Sequence, residues 1–261
     1  MVLRALKALR RWRERRATER HAISDSLWQL TLLRYPFLAQ RSTADLTELK
    51  RLCSLFLSTK EFHGVDGFEI TDEVAVAVAA QACLPVLRLG LSWYDGFVGI
   101  VMHHGEVLAR REVSDEDGIV HVYDEELAGE AMEGGPLMLS WQAVAASDDP
   151  AELGADAVFN VVIHEFAHVI DMRDGLADGV PPLDAAARER WIAIIDAEWQ
   201  RFCAQTDAGE PTLIDPYGAE AVEEFFAVAA EAFFVAPAAM RAEEQVMYEL
   251  LAGFFQQNPA S

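Results

Sequence analysis

The apolar residues in the first quarter of the chain recur every three or four positions, which is the spacing of a helix with one buried face. Pro36, a residue that interrupts helices, separates them into two groups: Leu27, Leu30, Leu32 and Leu33, then Leu46, Leu49, Leu52, Leu55 and Phe56. Residues 24–62 are therefore predicted to form helices. A turn is predicted at residues 64–68, and Thr71 opens another helix, rich in Ala and Val, that ends before Pro85.

The middle of the chain changes to short apolar runs bounded by Gly, Asp and Glu, which is typical of β-strands. Three strands are predicted, at residues 97–102, 118–122 and 136–141. Helical spacing returns in the last part of the chain, at residues 157–170, 188–203 and 219–255. Helices, a few strands and then helices again predict an α+β fold.

The helix predicted at residues 157–170 contains the most informative group of polar residues, His164-Glu165-Phe166-Ala167-His168. Histidines four positions apart project from one face of a helix, about 5.4 Å apart along its axis, so both rings can bind one metal ion. Glu165 would lie beside that ion and could handle the proton of a bound water. This is the HExxH motif of zinc metallopeptidases.

The alternative for this segment is a buried helix whose histidines only form hydrogen bonds. Two histidines and a glutamate in an apolar helix would each need a polar partner there, because an unpaired buried polar group is costly. Metal binding is therefore the favoured interpretation. Asp156 is a candidate cap for the start of the helix, and Gly175 is a candidate stop.

A catalytic zinc site needs a third protein ligand, and residues 220–231 offer four glutamates. Glu220, Glu224 and Glu231 share one face of a helix, whereas Glu223 points about 100° away from Glu224. A solvated acidic face is a credible explanation for Glu220 and Glu223. It explains Glu224 and Glu231 less well, because phenylalanines surround both in the sequence. Glu224 is the preferred third ligand, and Glu231 is the alternative.

Composition narrows the class of protein. The chain has 261 residues, of which 52% are hydrophobic and 25% charged, as in an ordinary globular protein. The chain contains no run of about 18 apolar residues, so no membrane span is expected. Cys53, Cys83 and Cys203 lie far apart and without metal-ligand spacing, so they predict reduced thiols in a cytoplasmic protein.

The net charge of −22 is unequally distributed along the chain. Residues 1–20 hold eight Lys or Arg and only two Glu, so the remainder is strongly acidic, which argues against nucleic acid as a direct partner. Residues 1–40 are predicted to form a basic helical extension and residues 41–261 the catalytic domain. The extension lacks the features of a secretory signal. It could contact anionic lipid, an acidic partner or the protein's own surface, or be only a solvated helix.

Seven segments of the chain together carry a family resemblance: GFE at 67–69, CLPVL at 83–87, WYDGF at 93–97, GPLMLSW at 135–141, VIHEFAHVIDMRDG at 162–175, DPYG at 215–218 and EFFAVAAEAFF at 224–234. In these segments the chain resembles the Mlc titration factor A family of bacterial zinc-dependent peptidases. The resemblance covers nearly everything from about residue 45 onward and leaves out the basic extension.

The resemblance implies a zincin-like metallopeptidase fold with a small mixed sheet and an active-site helix that carries HExxH. It implies one zinc ion per chain, bound by His164, His168 and Glu224, with Glu165 as general base. It also implies a catalytic role for Tyr217, which without the resemblance could equally be a packing residue. The spacing of Tyr217 and Glu224 is similar to that of the anthrax lethal factor catalytic domain, a gluzincin-type peptidase.

We therefore expect a zinc metallopeptidase of aminopeptidase type that acts on peptides or proteins in the cytoplasm. The family is named for sequestering a transcriptional repressor. The alternative function is thus a regulatory protein that binds a DNA-binding repressor of sugar uptake, with catalysis secondary. A third interpretation is a minigluzincin-like domain whose site is closed until something opens it.

Two further residue assignments follow from the proposed chemistry. Asp171, one turn after His168, is either an acceptor for an imidazole N–H or only a residue of the helix end. An edge strand often holds the substrate backbone in zinc peptidases of this shape. By analogy, residues 136–141 are the candidate for that strand.

Overall fold

The computed structural model describes residues 14–114, 120–146 and 158–261, and within them every side chain outside residues 108–126. Residues 14–20 are helical. The other α-helices are Asp25–Arg34, Pro36–Ala39, Thr43–Leu57, Asp72–Cys83, Trp141–Ala146, Val161–Asp171, Ala185–Asp207, Val222–Val235, Pro237–Glu243 and Gln245–Phe255. Short 3₁₀ helices span Leu91–Tyr94, Met172–Asp174 and Pro216–Ala219.

The strands of the described residues are β1 (Glu61–Gly64), β2 (Gly99–His103), β3 (Val107–Ser114), β4 (Val120–Leu127), β5 (Gly129–Ala131) and β6 (Leu137–Ser140). Four of them form one sheet in the order β1-β2-β6-β5, and β3 pairs with β4 in a separate antiparallel ribbon. Within the sheet, β1, β2 and β6 are parallel and β5 is antiparallel to β6. The α+β class with a small mixed sheet is confirmed. Residues 118 and 119 of the second predicted strand lie outside the described residues.

The identity of the edge strand was predicted wrongly. Within the predicted segment 136–141, residues Leu137–Ser140 form β6, which pairs with β2 on one side and with β5 on the other. The edge strand of this side of the sheet is β5. A strand of three residues that begins with glycine has no alternating apolar run, so it gives no strand signal in the sequence.

The helix with the HExxH motif, called here the motif helix, spans Val161–Asp171 and begins four residues later than predicted. Asn160 caps it, because its side-chain oxygen accepts a hydrogen bond from the backbone N–H of Ile163. Asp156, the predicted cap, lies outside the described residues. At the other end a 3₁₀ turn leads to Gly175, whose φ of 94° places it in the left-handed region and stops the helix, as predicted.

The motif helix runs through the centre of the core. Ile163, Phe166 and Ile170 are fully buried on it. It packs against Val222–Val235, called here the downstream helix. The ring of Phe166 contacts the rings of Phe56, Tyr94 and Phe97. Close packing on several sides therefore fixes the position of both helices that carry the candidate ligands.

The helix Asp25–Arg34 contributes Trp28 and Leu32 to the same core. Ser24 caps its start by accepting a hydrogen bond from the backbone N–H of Leu27. The division of the chain at residue 40 into an extension and a catalytic domain stays a prediction.

No single helix in the described ranges is long and apolar enough to cross a membrane. The downstream helix and Pro237–Glu243 reach the required length and hydropathy only as a pair, across a bend of 120°. The downstream helix is itself mostly buried within the protein.

Candidate metal centre

A buried polar network fixes the start of the motif helix. The side-chain amide of Asn160 donates to Oε1 of Gln81 at 2.7 Å, and the amide of Gln81 donates to the carbonyl of Ala77 at 3.1 Å. The backbone N–H of Asn160 donates to a carboxylate oxygen of Glu231. Because Asn160, Gln81 and Glu231 are all buried, these bonds stabilise one position of the helix start.

The structure brings His164, His168 and Glu224 together. Oε2 of Glu224 lies 3.1 Å from Nε2 of His164 and 3.3 Å from Nε2 of His168. The two Nε2 atoms lie 3.1 Å from each other. The two histidines come from one turn of the motif helix, and Glu224 comes from the first turn of the downstream helix.

These three donor atoms fit a metal ion. Ligand atoms about 2.0 Å from a tetrahedral zinc ion lie roughly 3.3 Å from one another. The observed separations of 3.1 to 3.3 Å match that arrangement. No other group of three or more His, Cys, Asp or Glu donors in the described ranges converges in this way.

The charges of the cluster also suit a cation. Burial alone would raise the pKa of Glu224, but its hydrogen bonds to His164 and His168 outweigh burial and hold the pKa far below the ordinary range. Burial alone would lower the pKa of His164, but Glu224 and Glu231 outweigh it and raise the pKa well above its ordinary value. Glu224 is therefore ionised and directs negative charge into the cluster.

Glu231 lies on the far side of the His164 ring from the cluster. Its Oε1 is 2.8 Å from Nδ1 of His164, and it is buried. A carboxylate that accepts the Nδ1–H bond directs Nε2 of the same ring toward the cluster. Glu231, the alternative third ligand in the sequence, thus contacts Nδ1 of His164, whereas Glu224 contacts Nε2 of both histidines.

Glu165 is buried beneath the edge strand β5. It is 5% exposed, and burial raises the pKa of its carboxyl group above the ordinary value. A Cβ atom on Gly129, the first residue of β5, would lie 2.5 Å from Oε1 of Glu165. Only glycine therefore allows the strand to approach the carboxyl group this closely.

Tyr217 stands at the mouth of the site. Its side chain is 40% exposed, and its ring centre lies 6.0 Å from the ring centre of His164. The 3₁₀ helix that carries it is held by Asp215, which accepts a hydrogen bond from the backbone N–H of Tyr217 at 2.9 Å. Trp199 also donates to the carbonyl of Gly218 at 3.0 Å. The tyrosine is thus anchored beside the cluster and open to solvent.

Asp171 contacts the loop after the motif helix. Its Oδ2 accepts a hydrogen bond from the backbone N–H of Gly179 at 2.8 Å, and burial raises its pKa to about 7. Its Oδ1 is buried and has no hydrogen-bond partner among the residues that the structure describes. The contacts of Asp171 are therefore those of a residue at the helix end, and its observed hydrogen bond goes to Gly179 and not to a histidine.

A cavity of about 210 Å³ opens over the site. His164, Glu165 and Tyr217 line it together with Leu127 to Gly129 at the start of the edge strand. Val161 and Val228 add apolar surface. The cavity therefore lies between the start of β5 and the side chain of Glu165.

Comparison with known proteins gives an independent result. A family model described as glucose-regulated metallo-peptidase M90 matches residues 9–256. Mlc titration factor A of Cronobacter sakazakii is 31% identical over 247 residues, which is 94% of this chain and 91% of that protein. Mlc titration factor A of Escherichia fergusonii is 32% identical over 230 residues, 87% of this chain and 84% of that protein. Protein slr2042 of Synechocystis sp. is 35% identical over 247 residues, which is 94% of this chain and 88% of that protein.

Proposed function

Because the chain belongs to the glucose-regulated metallo-peptidase M90 family, we propose that it is a zinc-dependent peptidase of zincin-like fold. The resemblance to the Mlc titration factor A family is confirmed by relatives that match about nine-tenths of the chain. One observation carries the proposal: donor atoms of His164, His168 and Glu224 meet within 3.1 to 3.3 Å of one another. Two imidazoles and one carboxylate are a ligand set of catalytic zinc sites.

Zinc is the metal in this proposal because imidazole and carboxylate donors in a three-ligand site suit it. When bound, the ion supplies a Lewis acid and lowers the pKa of a bound water. His164 and His168 hold it from one helix, and Glu224 holds it from another. Glu231 keeps the ring of His164 in the orientation that this requires.

Glu165 acts as the general base. Its carboxylate takes a proton from the attacking water and passes it to the leaving amine. Burial under β5 supports this role, because the raised pKa of Glu165 lies closer to the pH at which the protein would work. Tyr217 donates a hydrogen bond from its hydroxyl group to the carbonyl oxygen as negative charge develops there.

The edge strand β5 holds the substrate backbone in this proposal. An extended peptide can add to a free sheet edge through backbone hydrogen bonds. A peptide placed along β5 lies directly over Glu165, since Gly129 of that strand is in contact with the carboxyl group. Aminopeptidase-type cleavage is part of the proposal, and it rests on the family resemblance.

The direct test is Glu165→Gln, which keeps the shape of the side chain and removes the base. Hydrolysis of amino-acid and peptide reporters is expected to fall by at least about 10²-fold, with zinc content unchanged by metal analysis. Glu220→Gln, which alters an exposed acid nearby, is the matched control and should keep full activity. A Glu165→Gln protein that still cleaves at the normal rate would show that the mechanism is wrong. Comparing free and acetylated peptides tests the aminopeptidase assignment.

Binding of a repressor protein is a second candidate function, suggested by relatives that carry the name Mlc titration factor A. A pure binding protein has no need for a glutamate between two metal ligands, so we rank it second. Glu165→Gln separates the two functions, because it should remove hydrolysis and leave a complex with the repressor Mlc intact. Complex formation by size-exclusion chromatography measures this.

A further inference from the structure

A second cavity, of about 230 Å³, lies at the opposite end of β5 from Tyr217. One wall is the end of β5 and the turn that follows it, with Ala131 and Met132. Another is the segment after the 3₁₀ helix Leu91–Tyr94, with Gly96. The third is the end of the motif helix and its 3₁₀ extension, with Met172.

The two cavities use successive parts of the same two elements. The cavity over Glu165 is lined by Leu127 and Ala128, by Gly129 at the start of β5 and by residues from the first half of the motif helix. The second cavity is lined by Ala131 at the end of β5, by the turn at 132–135 and by residues from 169 to 175 at the end of the motif helix and beyond it. Ala131 lies two residues after Gly129, about 7 Å along the strand and on the same face. A peptide extended along β5 therefore passes over both cavities, with one side chain above each.

The lining of the second cavity is suited to an apolar group. Trp93, Phe97, Met132 and Met172 lie in its walls, and the charged residues Glu133 and Arg173 also line it. Met132 is 48% exposed, so a ligand there would cover apolar surface that water now contacts. The cavity is much larger than one water molecule, which occupies roughly 30 Å³. Thioether side chains adapt to differently shaped apolar groups.

We infer that the second cavity binds a large apolar side chain of the peptide substrate, at a fixed position on one side of the cleaved bond. This inference rests on the proposed function, because it uses the placement of the peptide along β5. It assigns a substrate class to the site: peptides that carry Leu, Met or an aromatic residue at that position.

Two glycines provide a matched pair of variants. A Cβ atom at Gly96 would meet no other atom within 4 Å, and neither would one at Gly253. Neither glycine has a positive φ, so a leucine is tolerated by the backbone at both. Gly96→Leu places a side chain at the wall of the second cavity, whereas Gly253→Leu adds the same group to the exposed side of the helix Gln245–Phe255.

The experiment is a library of peptides with a free N-terminus, varied at the first four positions, with the cleaved bond and its rate of cleavage followed by mass spectrometry. The wild type should prefer large apolar residues over Ala at one position by about tenfold in kcat/KM. Gly253→Leu should keep that preference, and Gly96→Leu should reduce it to about threefold or less. Met132→Ala, which enlarges the cavity, should shift the preference toward Trp. The same preference in the Gly96→Leu and Gly253→Leu proteins, or none in the wild type, would overturn the inference.

A binding measurement separates this inference from the proposed function. Fluorescence polarisation with the Glu165→Gln protein reports the affinity for the same peptides without turnover. Gly96-dependent binding of apolar peptides by the Glu165→Gln protein, together with no cleavage of them by the wild type, would support the cavity and contradict the peptidase. Cleavage without any Gly96-dependent preference would contradict the cavity alone. The absence of both cleavage and binding would contradict the inference and the proposed function together.

Discussion

At the scale of single residues, Gly129 carries a steric requirement for the proposed base. A Cβ atom there would lie 2.5 Å from Oε1 and 2.6 Å from Cγ of Glu165, so Gly129→Ala must displace the carboxyl group or the strand. We expect kcat to fall by about 10²-fold, since a displacement of about 1 Å in a catalytic group has this effect. Zinc content should be unchanged. Steady-state kinetics and metal analysis of the variant measure both.

Gly99→Ala is the control for this substitution, because a Cβ atom at Gly99 would lie 3.5 Å from Cβ of Pro136, an ordinary contact. It places the same methyl group on β2, which β6 separates from β5, where the nearest atom to the new group belongs to Pro136 and not to the site. Equal kcat for Gly129→Ala and Gly99→Ala would mean that β5 does not position Glu165.

Glu231 is the second residue with a specific expected effect. Glu231→Gln removes the charge that faces Nδ1 of His164 at 2.8 Å, so the ring is held less firmly and is a weaker ligand. The dissociation constant for zinc should rise by about tenfold or more. Glu220→Gln is again the control. Competition with a chromophoric chelator gives the zinc dissociation constants of both variants. Equal values would contradict the orienting role of Glu231.

At the scale of elements, the C-terminal end of the motif helix buries the carboxyl group of Asp171, and ionising that group destabilises the folded protein. Burial raises the pKa of Asp171 to about 7 from an ordinary value of 3.8. Between those values the folded protein binds a proton that the unfolded chain does not, so this group lowers stability as pH rises through about 4 to 7. Asp171→Asn cannot ionise and is free of this dependence.

The unfolding free energy of Asp171→Asn relative to wild type should therefore rise by roughly 1–3 kcal/mol between pH 4.5 and pH 8. Denaturant unfolding of both proteins, each kept free of metal by the same chelator, measures this difference at each pH. Asp196→Asn, at an exposed position of the helix Ala185–Asp207, is the control. A parallel pH dependence of wild type and Asp171→Asn would show that Asp171 is ionised without cost in the folded protein.

The elements differ in how far local sequence determines them. Long helices with caps, such as Thr71 before Asp72–Cys83, follow from apolar spacing and turn residues, and the structure confirms them. The start of the motif helix was misplaced, because apolar residues continue upstream of Asn160. The three-residue strand β5 is defined by pairing with β6 and by its approach to Glu165, which are contacts and not local patterns.

At the scale of the whole molecule, the candidate site joins distant parts of the chain. HExxH is local, so His164, Glu165 and His168 could be identified from spacing alone. Glu224 lies 60 residues from His164, and the sequence preferred it as a ligand but could not exclude Glu231, which shares its helical face. The two glutamates contact different nitrogens of one imidazole ring, a distinction that exists only after the downstream helix has packed against the motif helix.

The most direct measurement is a zinc titration of chelator-stripped protein with peptide turnover recorded at each step. The stripped protein should be inactive, and hydrolysis should increase with added zinc until one ion is bound per chain. The Glu165→Gln protein should bind the same amount of zinc and remain inactive throughout. Full hydrolysis by the stripped protein, or one tightly bound zinc ion per chain with no hydrolysis of any peptide, would contradict the account.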